Sequence, residues 1–178
     1  YVNRTSFNQH IFHLTAEKDY LFHMKQSQIY YNNEVIFDES DERNIPGEHN
    51  LFNIMVLFAV ANIYGITEND VKNTVASFKP LEHRMEFVRT VQGVKYYNDS
   101  ISTIPETCIA ALDTYKEIDT IIVGGMNRGI SYDKLIEKIN SIPTLKVICM
   151  YDVGKLIFDQ INNEKYYVEN LNDAVKKA

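Results

Sequence analysis

The chain has 178 residues, of which 45% are hydrophobic, and a formal net charge of −6. This length and composition allow one large or two small packed domains and exclude wholesale disorder. The acidic balance, with no basic run longer than Lys176-Lys177, argues against a nucleic-acid surface, and no apolar run approaches the ~18 residues of a membrane span.

The cysteines and the N-terminal sequence bear on the compartment in which the protein works. Cys108 and Cys149 lie far apart, without metal-ligand spacing. We therefore expect two reduced thiols and no metal site built on cysteine. The sequence does not begin with Met and shows no signal-peptide pattern. We expect a cytoplasmic protein of which this chain is a fragment.

The first predicted elements are short strands. Residues 20–24 and 27–31 are apolar runs, and Asn32-Asn33 is a typical two-residue turn between the second run and a strand over Glu34–Phe37. Acidic residues and Pro46-Gly47 then indicate a loop.

Two helices are predicted after this loop. Apolar residues over 50–64 fall on nearly all sides, which predicts a buried helix ended by Gly65. Thr67 is predicted to cap a second helix that runs through Phe78. Lys79-Pro80-Leu81 breaks that helix, so we place a domain boundary there, between 1–79 and 80–178.

Residues 80–178 alternate between strand and helix patterns. Two strands are predicted at 87–88 and 94–97 around a turn at Gln92-Gly93. Further strands are predicted at 120–123, 146–150 and 165–168, and helices at 105–115, 132–139, 153–161 and after Asn170. Thr103 is the predicted cap of the first of these helices. The order predicts an α/β fold with a mostly parallel sheet covered by helices.

The segment from Asn98 to Thr103 follows a predicted strand and precedes a helix. Ligands of open α/β sheets bind at such carboxyl ends. Asp99 is placed to bind ribose hydroxyls, while Ser102 and Thr103 offer hydroxyls and helix-terminal amides to an anion. The same residue types also form ordinary capping loops, so both interpretations stand on the pattern alone.

A second loop, from Gly124 to Gly129, follows the next strand. Its paired glycines let backbone approach a ligand closely, and Arg128 can hold a carboxylate in a bidentate fork. The alternative is a flexible turn with a solvated arginine.

Two further places carry polar residues suited to binding. Asn50 and Asn53 lie one turn apart in an apolar helix, where a nucleobase edge or neighbouring backbone would satisfy their amides; Asn50 is also a candidate cap. His83-Arg84 lies at the domain junction, where it would contact a ligand in a cleft or form an interdomain salt bridge.

Four motifs in order resemble the Mur ligase family. They are Gly47-Glu48-His49-Asn50-Leu51-x-Asn53, Pro80-Leu81-x-His83-Arg84-x-Glu86, Tyr97-Asn98-Asp99-Ser100 and Gly124-Gly125-x-x-Arg128-Gly129. The resemblance covers nearly the whole chain, least specifically the first 45 residues. It implies that 1–79 is the C-terminal part of a central ATP-binding domain. It also implies that 80–178 is a Rossmann-like C-terminal ligase domain, incomplete at its end.

The resemblance is greatest to the members that add glutamate to UDP-N-acetylmuramoyl-L-alanine. It implies an ATP-dependent ligase of peptidoglycan synthesis, and hence of cell shape and division. Such enzymes use Mg²⁺ and pass through an acyl phosphate that the amino acid attacks. The implied partners are the UDP-muramoyl peptide and glutamate, with no nucleic acid, no membrane and a monomeric cytoplasmic enzyme.

Residue roles follow from the resemblance motif by motif. It implies that Asn50 and Asn53 bind on the adenine side, and that His83, Arg84 and Asp99 bind ATP, with Asp99 on the ribose. It implies that the incoming amino acid is bound by Ser102, Thr103 and Arg128.

Two departures from the family pattern limit these expectations. Ile101 stands where the glutamate-adding members often have Lys, which leaves D-glutamate, L-glutamate and other amino acids open. The chain also contains no G-x-x-x-x-G-K-[ST] phosphate loop. We expect the catalytic residues and magnesium ligands to lie upstream and the fragment alone to be inactive. Alternatives are another Mur ligase, a folylpolyglutamate-synthase relative, or a non-catalytic nucleotide- or carboxylate-binding module.

Overall fold

The computed structural model describes residues 21–178. The chain divides after Pro80 into two compact units, the second of which is Leu81–Ala178. Across residues 21–178, no helix is both long and apolar enough to cross a membrane.

The first unit combines a three-stranded antiparallel sheet with two helices. In sheet order its strands are β1 (Phe22–Lys25), β2 (Gln28–Tyr31) and β3 (Glu34–Phe37), and its helices are α1 (Glu48–Ile63) and α2 (Glu68–Ser77). β1 and β2 begin slightly later than predicted, and the predicted strand residue Tyr20 lies outside the described residues.

The predicted Asn32-Asn33 turn is confirmed. Both residues have positive φ, 49° and 66°, and Tyr31 pairs with Glu34 across the turn. Asparagine tolerates this left-handed conformation, whose twist matches the flanking strands. Gln26-Ser27 makes a similar turn between β1 and β2, although this pair of residues does not predict one.

The helix ends follow their local chemistry. Gly65 has a φ of 67°, its N–H donates to Asn62 O, and the N–H of Ile66 donates to Ala61 O. These two bonds form a Schellman motif, so the predicted stop at Gly65 is confirmed. The predicted Thr67 cap is also confirmed, because its side chain accepts a hydrogen bond from Asp70 N.

The prediction that α1 is buried on nearly all sides is wrong. Its buried residues are Leu51, Ile54, Met55, Phe58, Ala59 and Ala61. Four of its other apolar side chains are between 38% and 43% exposed: Phe52, Leu57, Val60 and Ile63. The reason is geometric: within the described residues, the sheet and α2 pack against one face of the helix. The N-cap is Gly47, so the alternative role of Asn50 as a cap is also wrong.

The second unit alternates strands and helices along the chain. In order these are β4 (Glu86–Val91), β5 (Val94–Asn98), α3 (Pro105–Thr114), β6 (Thr120–Gly124), α4 (Asp133–Asn140), β7 (Lys146–Met150), α5 (Tyr151–Phe158), β8 (Lys165–Val168) and α6 (Leu171–Lys177).

The predicted α/β fold with a parallel sheet is confirmed for β6, β7 and β8. These strands pair in parallel in that order, and buried residues from β6, β7, α3, α4 and α5 form one core cluster. β4 and β5 form a separate two-stranded antiparallel sheet around the predicted turn at Gln92-Gly93, which is confirmed by the positive φ of both residues. This hairpin is largely exposed on both faces, unlike β7, whose central residues are buried.

One predicted helix cap and one predicted helix start are wrong, although the predicted start of α3 at Pro105 is confirmed. The N-cap of α3 is Ile104 and not Thr103, because Pro105 takes the first helical position and holds the preceding residue extended. α5 begins at Tyr151 rather than at 153, and Tyr151 has a left-handed φ of 59°. This turn lets the helix start immediately at the carboxyl end of β7.

Candidate functional site

Two segments of the second unit, 81–86 before β4 and 98–102 after β5, are joined by hydrogen bonds around Asp99. The Met85 N–H donates to Asp99 Oδ1 at 2.9 Å, and the Ser102 hydroxyl donates to Asp99 Oδ2 at 2.5 Å. The Ile101 N–H donates to His83 O at 3.2 Å. The Asp99 cluster, defined as His83, Arg84, Asn98, Asp99 and Ser102, is therefore assembled within one unit.

The backbone of the 81–86 segment is unusual. His83 and Met85 have left-handed φ values of 64° and 46°, which non-glycine residues adopt at an energetic cost of about 1 kcal/mol or more each. Local bonds stabilise this shape: the His83 N–H donates to Glu86 Oε2 at 2.7 Å, and Asp99 holds the Met85 N–H. The carboxylates of Glu86 and Asp99 thus hold the segment that presents His83 and Arg84.

His83 is oriented by Asn98. The Asn98 Oδ1 accepts from the Ser100 N–H at 3.0 Å, which assigns the amide so that its Nδ2 donates toward His83 Nδ1 at 2.8 Å. In the neutral ring Nδ1 is then the acceptor, and Nε2 carries the proton. Glu86 Oε2 lies 3.4 Å from the same Nδ1. The His83 side chain is 57% exposed, so its Nε2–H is a donor near solvent.

Arg84 is half-buried, and its Nη1 donates to the Ser102 hydroxyl at 3.3 Å. A guanidinium has five N–H donors and this bond uses one of them. Arg84 and Asp99 therefore place a cation and an anion on the same serine hydroxyl, a pairing suited to a ligand that has both phosphates and hydroxyl groups.

Aromatic and thiol groups line the inner side of the Asp99 cluster. Tyr115 packs against Tyr97 with ring centroids 4.4 Å apart and ring planes inclined by 39°, and its hydroxyl donates to Met85 O at 3.3 Å. Burial raises the pKa of Tyr115 to about 12, with smaller contributions from Tyr97 and Asp99. Burial likewise raises the pKa of the Cys108 thiol to about 12, and the Asp99 charge adds to it. Both groups are neutral near pH 7 and neither is an activated nucleophile.

The two cysteines are free, as predicted. Cys108 is partly buried and Cys149 is buried in β7. Burial raises the pKa of Cys149 to about 11, against a smaller opposing effect of Lys165. In the part of the chain that the structure describes, no group of three or more His, Cys, Asp or Glu could hold a metal ion.

The loop after β6 is much more open. Arg128 is exposed, Met126 is 80% exposed, and the Gly129 N–H donates to Asn127 Oδ1 at 2.9 Å. The reason for glycine at 124 is packing: a Cβ there would lie 1.9 Å from the Met150 carbonyl oxygen, whereas at Gly125 it would meet nothing within 4 Å. The sequence predicted that both glycines let a ligand approach the backbone closely. At Gly124, the missing side chain instead makes room for the neighbouring strand β7.

In the first unit, Asn50 and Asn53 form a short chain of amides near the start of α1. Asn50 Nδ2 donates to Pro46 O at 2.7 Å, and Asn53 Nδ2 donates to Asn50 Oδ1 at 3.3 Å. Asn53 is exposed and Asn50 is half-buried. The shared face predicted from their spacing is therefore present, and the exposed amide of Asn53 can take a further polar partner.

The structure brings together four of the predicted site residues: His83, Arg84, Asp99 and Ser102. Thr103 is exposed beside them in sequence. Sequence reasoning missed the supporting roles of Asn98, Glu86 and the Met85 backbone. The Asn98-x-Ser100 spacing could have suggested the Asx turn, but nothing in the sequence signals the Met85 bond.

Comparison with curated proteins finds relatives that are named UDP-N-acetylmuramoylalanine–D-glutamate ligase. The chain is 36% identical over 166 residues to the UDP-N-acetylmuramoylalanine–D-glutamate ligase of Thermoanaerobacter sp., covering 88% of this chain and 36% of that protein. It is 35% identical over 161 residues to the protein of the same name from Listeria monocytogenes, covering 88% of this chain and 34% of the relative. The chain thus spans about one third of the length of these curated relatives.

Solved structures show the same fold. The UDP-N-acetylmuramate-alanine ligase MurC of Thermotoga maritima matches with a TM-score of 0.69 at 17% identity, over 91% of this chain and 40% of that one. MurF from Acinetobacter baumannii matches with a TM-score of 0.69 at 12% identity, over 90% of this chain and 38% of that one. No protein-family model matches the chain.

Proposed function

Because this chain belongs to the Mur ligase family, we propose that it is part of an ATP-dependent ligase that joins D-glutamate to UDP-N-acetylmuramoyl-L-alanine through an acyl phosphate. The observation that carries the proposal is the 36% identity to a UDP-N-acetylmuramoylalanine–D-glutamate ligase over 88% of the chain. The Asp99 cluster supports it, since His83, Arg84 and Asp99, three of the residues that the resemblance assigns to the nucleotide, meet there.

The Asp99 cluster would bind the ATP ribose and phosphates. ATP would supply the phosphoryl group that turns an unreactive carboxylate into an electrophile. Each carboxylate oxygen of Asp99 accepts one bond from the protein and has a second acceptor site for a ribose hydroxyl. Arg84 has further N–H donors for phosphate oxygens, and the Nε2–H of His83 is another donor for the same group.

Two asparagines would bind the adenine. Asn50 and Asn53 carry side-chain amides that are linked to each other and to Pro46 O. An amide offers both a donor and an acceptor, which matches the mixed edge of adenine. We place the exposed amide of Asn53 against the base and Asn50 behind it as its support.

Glutamate would be bound by Thr103 and Arg128. Arg128 is exposed on an open loop, and its planar guanidinium can bind a carboxylate with two parallel hydrogen bonds. Thr103 is also exposed and offers a hydroxyl. Ile101, 48% exposed, adds an apolar side chain where the glutamate-adding members often have a lysine.

The family resemblance implies that the magnesium ligands lie upstream of this chain. Among residues 21–178, no group of three or more His, Cys, Asp or Glu could hold a metal ion, and Mg²⁺ is commonly bound by one or two carboxylates together with substrate phosphates. We propose that the magnesium ligands lie in another part of the enzyme, and that this chain alone does not catalyse ligation. We further propose a monomeric cytoplasmic enzyme that acts without nucleic acid or membrane.

Phosphate release by the full-length protein tests this proposal. The assay combines ATP and Mg²⁺ with UDP-N-acetylmuramoyl-L-alanine and, in parallel reactions, D-glutamate, L-glutamate or another amino acid. We expect phosphate release only when the nucleotide-linked substrate and D-glutamate are both present. The isolated chain of residues 1–178 serves as the control and should release none.

Other outcomes would redirect the assignment. Release with L-glutamate or another amino acid would retain the ligase and change its substrate, and release with a folate and glutamate would move the chain to the folylpolyglutamate-synthase relatives. ATP binding without release under any combination would favour a non-catalytic binding module.

A further inference from the structure

The Ser102 hydroxyl lies between two charged side chains. It donates to Asp99 Oδ2 at 2.5 Å and accepts from Arg84 Nη1 at 3.3 Å. A hydroxyl has one donor and two acceptor positions, so it makes both bonds at once. The ion pairs of residues 21–178 do not include a direct contact between Arg84 and Asp99. Ser102 therefore provides the link between them.

The same serine restricts the carboxylate of Asp99. Asp99 Oδ1 accepts from the Met85 N–H, and Oδ2 accepts from Ser102. Two donors on different oxygens fix the rotation of the carboxylate plane. The Ser102 backbone N–H also donates to Asp99 O at 3.0 Å, and this bond holds the backbone of residue 102 close to Asp99.

We propose that Ser102 is a positioning residue for the nucleotide, orienting Arg84 and Asp99 together, and not a contact of the incoming amino acid as the family resemblance implies. The inference rests on the proposed function, because it assigns the nucleotide to Arg84 and Asp99. Its direct support is that the only proton of the Ser102 hydroxyl already points at Asp99, which leaves no donor for a substrate carboxylate.

Removing the hydroxyl should loosen both partners without removing either charge. In Ser102→Ala, the carboxylate of Asp99 keeps its bond from Met85 but loses the one that stops its rotation, and Arg84 loses its acceptor. The backbone bond from residue 102 to Asp99 O remains, so the loop is kept. Preorganisation is lost, and the affinity for a ligand that needs both charges falls.

The test is steady-state kinetics of the full-length enzyme with Ser102→Ala, Ser102→Thr and Ser141→Ala. Ser141 is a matched control, since its hydroxyl also bonds within the protein, to Lys138 O at the end of α4. For Ser102→Ala we expect the KM for ATP to rise about fivefold, the effect of one hydrogen bond, with the KM for the amino acid unchanged. Ser102→Thr keeps a hydroxyl and should restore the KM for ATP, and Ser141→Ala should match the wild type.

The opposite split would overturn the inference: a raised KM for the amino acid with an unchanged KM for ATP would make Ser102 a substrate contact. Unchanged values of both would make it incidental. Amide hydrogen exchange tests the positioning role independently of the proposed function, because the measurement needs no enzymatic activity. Exchange at the Met85 N–H should be several-fold faster in Ser102→Ala than in the wild type, even in a protein that ligates nothing. Unchanged Met85 exchange would contradict the positioning role.

Discussion

Two loops of the second unit follow strand ends and lead towards helices, yet they are built in opposite ways. The 98–102 loop after β5 is tied to the 81–86 segment by the bonds from the Met85 N–H to Asp99 Oδ1 and from the Ile101 N–H to His83 O. Ser102 holds the other carboxylate oxygen of Asp99 from within the loop. The 124–130 loop after β6 is exposed over most of its length, including Arg128. The first loop already holds its charged groups in place. The second holds its strand end in place and leaves its arginine in solvent.

The two loops are therefore held in shape by different groups of atoms. In the 98–102 loop the constraint lies in polar side chains, so a substitution there should change stability and nucleotide binding together. In the 124–130 loop it lies in the backbone at Gly124, so stability and ligand binding should be separable. Four perturbations test this contrast.

The largest effect is expected from Gly124→Ala. Its Cβ would lie 1.9 Å from the Met150 carbonyl oxygen, so β6 and β7 must move apart, and we expect a loss of about 3 kcal/mol or more. The matched control is Gly125→Ala, where a Cβ meets nothing within 4 Å. There the φ of 147° should cost only about 1–2 kcal/mol. Urea unfolding of both variants checks this, and equal losses would refute the packing explanation for Gly124.

The next largest effect is expected from Asp99→Ala. It removes the acceptor of both the Met85 N–H and the Ser102 hydroxyl, so the free energy of unfolding should fall by about 2 kcal/mol. The KM for ATP of the full-length enzyme should also rise. Asp99→Asn keeps one carbonyl oxygen and should retain part of the stability. Unchanged unfolding with a raised KM would mean that the cluster is not held together by Asp99, while an unchanged KM would leave Asp99 a structural residue.

Alkaline pH should destabilise the second unit gradually. Burial raises the pKa of Cys108 from 9.0 to about 12 in the folded chain, so above pH 9 the unfolded state releases a proton that the folded state keeps. The stabilisation is complete below pH 9 and declines towards pH 12, by about 1.4 kcal/mol per pH unit for each such group. Chemical unfolding under reducing conditions from pH 8 to 11 measures the slope. Cys108→Ala should reduce it by about one proton, and an unaltered slope would contradict the assignment.

The smallest effect on stability is expected from Arg128→Ala. Because this side chain is exposed, the free energy of unfolding should change by less than about 0.5 kcal/mol. The KM for glutamate of the full-length enzyme should nevertheless rise about tenfold or more, as a charge-assisted bond is lost. Arg128→Lys keeps the charge but not the fork and should recover part of the affinity. A variant with unchanged KM would return Arg128 to a solvated turn residue.

Much of the fold was predictable because local rules decide it. β7 and β8 were predicted with the bounds that the structure shows, since an apolar strand between turn signals needs no distant information. The turn at Asn32-Asn33, the stop at Gly65 and the cap at Thr67 were predicted for the same reason. The burial of only one face of α1 and the exposure of the β4–β5 hairpin on both faces were not predicted, because they depend on which surfaces distant elements cover.

The candidate site was likewise predictable from the sequence only in part. The sequence by itself determined which chemical groups exist and their order: an acid and hydroxyls after β5, an arginine after β6, a histidine and arginine at the junction. It also determined the family, because four motifs in order are specific where each alone is not. Only the tertiary structure decided that the Met85 N–H donates to Asp99 Oδ1, and that Gly124 lies against a neighbouring strand. The physical reason is range: capping, turns and periodicity act within a few residues, whereas these contacts span 14 residues from Met85 to Asp99 and join strands that are separate in sequence.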